Sequence, residues 1–166
     1  YYNCKVPGVI LRNVLENPEW YTPYTPYQAE ISQGRLESLL NFQTMICDLT
    51  GMQFANASLL DESTACAEAM TFCMRNSSNA KTNRFFLSDN CFPQNIAVVQ
   101  NRAEPLGIEI IVDNPFTFDF DANPVAGVLF QYPAIDGEIQ NYSKIVNKLK
   151  NKNIMTVFSS DLLALT

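Results

Sequence analysis

Apolar positions along the chain change their period partway. Near the start, Pro7 is placed for the first turn of a helix, and Val9, Ile10, Val14 and Leu15 follow at spacings that make one apolar stripe before Asn17-Pro18 ends it. The run Trp20-Tyr21-Thr22-Pro23-Tyr24-Thr25-Pro26-Tyr27-Gln28 carries two prolines. Each fixes its own φ and pushes the preceding residue toward extended geometry, which predicts a semi-rigid, non-helical aromatic arm. From Gln33 to Thr50, Leu36, Leu39, Leu40, Ile46 and Leu49 recur at helical intervals, with Ser32 as the expected N-cap and Gly51 just past the end. A further helix is predicted from about Ser63 to about Arg75, behind Asp61-Glu62, with Cys66, Ala69, Met70, Cys73 and Met74 facing inward.

Beyond the polar stretch Asn76 to Asn83 the pattern becomes one of short, continuous apolar runs. These are Phe85 to Leu87, Ile108 to Val112, Val125 to Tyr132 and Ile154 to Phe158, all of the length of buried strands. Helical segments at Pro93 to Leu106 and Tyr142 to Lys150 separate some of them. Such alternation predicts βαβ units and an α/β fold: a mostly parallel sheet with flanking helices and an N-terminal helical arm. The expected division is a helix and aromatic arm over 1–32 and a partial α/β large domain over 33–166. No internal repeat or low-complexity tract interrupts it.

Composition narrows the chemistry. The 166 residues are 47% hydrophobic and 17% charged, enough for a real core. With 11 Lys+Arg against 17 Asp+Glu the formal charge is -6, which argues against a nucleic-acid surface. There is no histidine, so this chain cannot itself supply a His-based triad, a His metal site or an imidazole base. The five cysteines are odd in number and include no C-x-x-C, so no disulfide framework or zinc site is indicated and the expectation is reduced, mostly buried thiols. No apolar run approaches the roughly 20 residues of a membrane span, and Tyr1-Tyr2-Asn3-Cys4-Lys5-Val6 is unlike a signal peptide. The chain starts without Met and stops just after an apolar stretch, so a piece of a longer polypeptide is expected.

In open α/β sheets, ligands bind beyond the carboxyl ends of the strands, which directs attention to Ser88 to Phe92, Gln131 to Pro133 and Ser159 to Asp161. The helix start at Ser63-Thr64 offers N–H groups to an anion, or is simply a cap. Asp161, after a strand, can pair with a cationic ring nitrogen or serve as a surface or capping residue.

The stretch from Tyr24-Thr25-Pro26-Tyr27-Gln28-Ala29-Glu30 through Gly34-Arg35-Leu36-Glu37 to Met45, then Ala55-Asn56-Ala57-Ser58-Leu59-Leu60-Asp61-Glu62, closely resembles the P-protein family of the glycine cleavage system, glycine dehydrogenase (decarboxylating). Resemblance continues through Arg102-Ala103-Glu104, Gly127 to Pro133 and Asp161 to Leu165, and so covers essentially the whole chain as part of the family's N-terminal half. It implies a type I pyridoxal-phosphate (PLP) transferase fold. It further implies PLP-dependent decarboxylation of glycine, with transfer of the aminomethyl group to the lipoyl arm of H-protein. The resemblance places the PLP lysine in a C-terminal catalytic half or subunit, and no lysine of this chain matches it. A homodimer or α2β2 assembly is the expected form, in the mitochondrial matrix of a eukaryote or the cytoplasm of a bacterium.

Within that frame, Glu62, Ser63, Thr64, Phe92 and Asp161 read as a vestigial cofactor site. The carboxylates of Asp61 and Glu62 stand where a phosphate would approach, and Phe92 stands where the family usually has His. Tyr24, Tyr27, Gln28 and Glu30 form a candidate substrate or interface arm, or else seal the first helix against the core. Arg35 either orients this arm or pairs with Glu37. Three readings follow: a non-PLP half that completes a composite catalytic site, a purely structural and interaction half, or an independent PLP enzyme of another type I family.

Overall fold

Alternation with a period of two builds the sheet, because successive strand side chains point to opposite faces. The computed structural model describes residues 5–26, 28, 30–57, 59–78 and 82–165. Its strands are β1 (Arg84–Ser88), β2 (Glu109–Asp113), β3 (Gly127–Tyr132) and β4 (Met155–Ser160). They are all parallel, in the order β2-β1-β3-β4. Phe85, Leu87 and Leu129 face one core and Phe86, Val128 and Phe130 the other, so the continuous apolar runs are strands buried on both faces. The expected α/β class with a parallel sheet and flanking helices is what the chain adopts.

Contacts divide the chain into two compact units, at Ala57/Ser58. The second holds the sheet. One sheet face is covered by α3 (Glu62–Asn76) and α4 (Pro93–Ala103), which pack on each other. The opposite face is covered by α5 (Ser143–Asn151) and by Phe118 and Phe120, whose rings close on Phe86 with centroids 4.8 and 5.0 Å away. A 3-10 turn, Glu104–Leu106, extends α4, and another, Leu162–Leu165, follows β4.

Two details of α3 correct the sequence reading. Its N-cap is Asp61, with Glu62 as first helical residue, one position ahead of the expected start. Its buried stripe is Ser63, Cys66, Ala67, Met70 and Cys73, so Ala67 and not Ala69 is the wholly buried alanine. Asp61 takes the cap because its carboxylate accepts the Thr64 N–H at 2.7 Å.

The first unit contains α1 (Gly8–Ile10), continued by a π-helical stretch Leu11–Leu15, and α2 (Gln33–Thr50). α2 has the predicted bounds. Gly51 closes it with φ 69° and an N–H bond to the Cys47 carbonyl, a left-handed cap that favours glycine. Ser32 is at the N-cap position, but its buried hydroxyl makes no bond to the helix and has no partner among the described residues. No residue of α2 is buried: Leu36, Leu40, Phe42, Met45 and Leu49 are all exposed.

Candidate functional site

At the carboxyl ends of β3 and β4, the starts of α3 and α4 bring five polar side chains together. Ser63, Asn95, Gln131 and Ser159 are all buried, Asn95 completely, and Glu62 enters from its half-buried position. Glu62 Oε1 accepts from Asn95 Nδ2 at 3.1 Å, from Gln131 Nε2 at 3.1 Å and, at short range, from Ser159 Oγ. Asn95 Nδ2 also donates to Gln131 Oε1 at 3.0 Å, and Asn95 Oδ1 accepts from Ser63 Oγ at 2.7 Å. Gln131 Nε2 spends its second proton on the Ser159 carbonyl at 3.1 Å. Each amide therefore uses both N–H groups and its oxygen, which fixes its orientation. Unspent capacity lies instead at the end of β1, where Ser88 Oγ and Asn90 Oδ1 are buried with no partner among the described residues.

The type I resemblance implies a cofactor phosphate at the start of α3. The residues found there do not fit it. Both amides are saturated, the Ser159 hydroxyl is engaged and the Thr64 N–H is held by Asp61. That N–H keeps the Asp61 carboxyl below the usual carboxylate range, with the Thr64 hydroxyl adding to the effect. Bringing a further unit negative charge within about 4 Å of a carboxylate costs about 1 kcal/mol in water and about 4 kcal/mol at an effective dielectric near 20.

The remaining sequence-predicted positions are distributed around this cluster. Phe92 is the N-cap residue of α4, ahead of Pro93, and its carbonyl accepts the Asn95 and Ile96 N–H groups at 2.9 and 3.1 Å. Asp161 is exposed, and its Oδ1 accepts the Leu163 N–H at 2.9 Å at the head of the last 3-10 turn. Asn95 was not anticipated. Its signal is faint but present: a lone amide four and eight positions ahead of Val99 and Ala103, on the stripe that α4 buries.

Cys66, Cys73 and Cys91 are buried thiols, as expected, and Cys47 is half-buried. Burial pushes Cys73 up to about 11 and Cys91 up to about 12, and raises Cys66 too, so the three are poor nucleophiles near neutral pH. Among the described residues no group of acidic and cysteine side chains is arranged to hold a metal ion. None of the described helices is long and apolar enough to cross a membrane.

In the first unit, the arm is a series of turns. The Gln28 carbonyl accepts the Ile31 and Ser32 N–H groups at 3.1 and 2.9 Å. Arg35 reaches back to it, donating to Thr22 Oγ1 and to the Glu19 carbonyl, with its guanidinium carbon 5.9 Å from the Trp20 ring centroid. Among the described residues Arg35 thus pairs with the arm and forms no ion pair with Glu37. Trp20, Tyr21 and Tyr24 are 49%, 63% and 45% exposed, and Gln28 and Glu30 are also exposed. Tyr27 lies outside the described residues.

Comparison with known proteins agrees along the full length. The family model described as glycine cleavage system P-protein matches residues 1–166. Glycine dehydrogenase (decarboxylating) of Allorhizobium ampelinum is 56% identical over 165 residues, covering 99% of this chain and 17% of that protein. The mitochondrial glycine dehydrogenase (decarboxylating) of Pisum sativum is 54% identical over 166 residues, all of this chain and 16% of that protein. A crystal structure of glycine decarboxylase (P-protein) of the glycine cleavage system, in inhibitor-bound form, superposes with a TM-score of 0.79 at 28% identity, over 96% of this chain and 37% of that one. The chain thus spans about a sixth of the length of the curated relatives it matches. With a parallel sheet of the type I PLP architecture and a match from first residue to last, the chain belongs to the glycine cleavage system P-protein family.

Proposed function

We propose that this chain is part of the N-terminal, non-PLP half of a glycine dehydrogenase (decarboxylating), and that it completes a composite site with a PLP-bearing half. The observation that carries the reading is the saturated cluster around Glu62: the chain spends on its own carboxylate the donors that a cofactor phosphate would need. Supporting it are the whole-length family match and relatives that are themselves named as this enzyme.

In the full protein, PLP held by a lysine elsewhere supplies the electron sink for decarboxylation of glycine, and the lipoyl arm of H-protein receives the aminomethyl group. This chain's contribution is the aromatic arm, Tyr24, Tyr27, Gln28 and Glu30, presented by Arg35 toward substrate or partner. Glu62, Ser63, Thr64, Phe92 and Asp161 are a vestigial cofactor site. The chain alone does not turn over glycine. The assembly is a homodimer or α2β2, in the mitochondrial matrix of a eukaryote, as the pea relative's name supports, or in a bacterial cytoplasm.

A second reading, a purely structural and interaction half, is favoured by α2, whose exposed Leu36, Leu40, Phe42, Met45 and Leu49 invite cover. Glycine decarboxylation by the full-length protein separates the two. Loss of activity in Tyr24→Phe, Tyr27→Phe or Gln28→Ala, with assembly intact, supports the composite site. Unchanged turnover in all three leaves the structural reading standing and the catalytic arm refuted.

A further inference from the structure

We propose that Glu62 is an internal ligand: its carboxylate fills an anion site built by Asn95, Gln131 and Ser159, and that site takes a small free carboxylate when the Glu62 side chain is removed. The three donors come from α4, β3 and β4 and are 0%, 2% and 7% exposed, yet all converge on one oxygen, Glu62 Oε1. They lie 33, 69 and 97 positions from Glu62 in the chain, so the convergence belongs to the tertiary fold and not to local capping. Their other bonds, Asn95 to Gln131 and Ser63 and Gln131 to the Ser159 carbonyl, do not involve Glu62 and hold the amides in orientation without it.

Removing the side chain therefore leaves one aimed, buried N–H on each of Asn95 and Gln131 with no acceptor. It also takes from the Ser159 hydroxyl its carboxylate partner, with the Cys66 thiol as its neighbour. This state costs free energy until an anion or water enters. Glu62 is itself only half-buried, so the cradle opens to solvent along the path that side chain occupies. Formate carries the same two oxygens and single charge as the carboxylate it would replace, with no bulk beyond it. Anion binding by these donors uses the same cluster as the proposed composite site, but it does not depend on what the full protein catalyses.

The test is thermal melting of the full-length natural protein and its Glu62→Ala and Glu62→Gln variants, titrated with sodium formate against matched sodium chloride. Glu62→Ala is expected to melt several degrees lower, and formate but not chloride should restore the midpoint with saturation. The parent and Glu62→Gln, whose cradles stay filled, should show no formate-specific shift. Adding Ser159→Ala to Glu62→Ala should weaken the formate response severalfold. If Glu62→Ala does not accumulate as folded protein, the recovered yield on refolding in formate against chloride is the readout. No saturable formate effect by either measure, or an equal one in the parent, overturns the proposal, as does a response unaltered by loss of the Ser159 hydroxyl.

Discussion

A Cβ placed on Gly127 would lie 2.7 Å from Cys73 Cβ, so α3 rests on the first residue of β3 at a distance only glycine allows. Cys73 Sγ and Phe85 Cε2 would both be 2.9 Å away. Gly127→Ala therefore forces α3 outward and should cost about 1 to 3 kcal/mol, as overpacking a close-packed core does. Denaturant unfolding measures it. Cys73→Ala should relieve the loss only in part, because it removes the Sγ clash and keeps the nearer one with the Cβ.

Asn95 is the hinge of the polar cluster, and Asn95→Asp changes one group while keeping the shape. Its second oxygen would face Glu62 Oε1 and Gln131 Oε1, now 3.1 and 3.0 Å from a donor. The expected loss near pH 7 is at least about 1 to 3 kcal/mol, the cost of unsatisfied buried groups. Burial and the neighbouring carboxylate raise the folded-state pKa of the new acid above its unfolded value. The folded form then holds a proton that the unfolded chain has released, so the deficit should shrink as pH falls and grow as pH rises from about 4 to about 7. A deficit independent of pH would place residue 95 in contact with solvent.

The sheet was legible because its signal is local. Phe85-Phe86-Leu87 and Val128-Leu129-Phe130 are apolar at every position, which only a strand covered on both faces requires, and both faces are covered. The bounds of α2 were legible for a similar reason, from periodicity and Gly51. Its lack of burial was not, since an apolar stripe records the need for a partner and not whether one is packed there. Glu62 stood out as a carboxylate at a helix start, but its donors lie on three separate elements, and only the fold brings Asn95, Gln131 and Ser159 to one oxygen. Arg35 likewise has an acid two positions away at Glu37, yet a helix turns those two residues to different sides, and the guanidinium finds Thr22 and the Glu19 carbonyl instead.

The buried thiols make a prediction at the alkaline end. Burial raises Cys73 and Cys91 from the ordinary 9.0 to about 11 and about 12. The folded state thus keeps these protons to higher pH than the unfolded chain does. Their contribution to stability is complete below about pH 9 and is lost as pH rises through the folded values. A Cys73→Ala, Cys91→Ala double variant should therefore show a shallower decline in unfolding free energy between about pH 8.5 and about pH 10.5 than its parent. The slope, not the absolute stability, is the readout, because the substitutions also remove packing. Equal slopes would mean that neither thiol is protected from ionisation by the fold.

Arg35 is predicted to set the order of the aromatic arm. Its planar fork spans a side-chain oxygen, Thr22 Oγ1, and a backbone oxygen, that of Glu19, while its face lies near Trp20. Lysine keeps the charge but has neither the second arm of the fork nor the flat face, so Arg35→Lys should not preserve the contact. Both anchors are at least partly exposed, which limits the expected stability change to about 1 kcal/mol or less. The informative observable is local. Trp20 is the single tryptophan of the chain, and in a background without others its fluorescence anisotropy decay reports the arm directly. Arg35→Lys and Arg35→Ala should both add a fast nanosecond component, and Thr22→Val a smaller one because the carbonyl anchor remains. A decay unchanged in Arg35→Ala would show that the turns at Gln28 hold the arm without the guanidinium, and would remove Arg35 from any role in presenting Tyr24 and Tyr27.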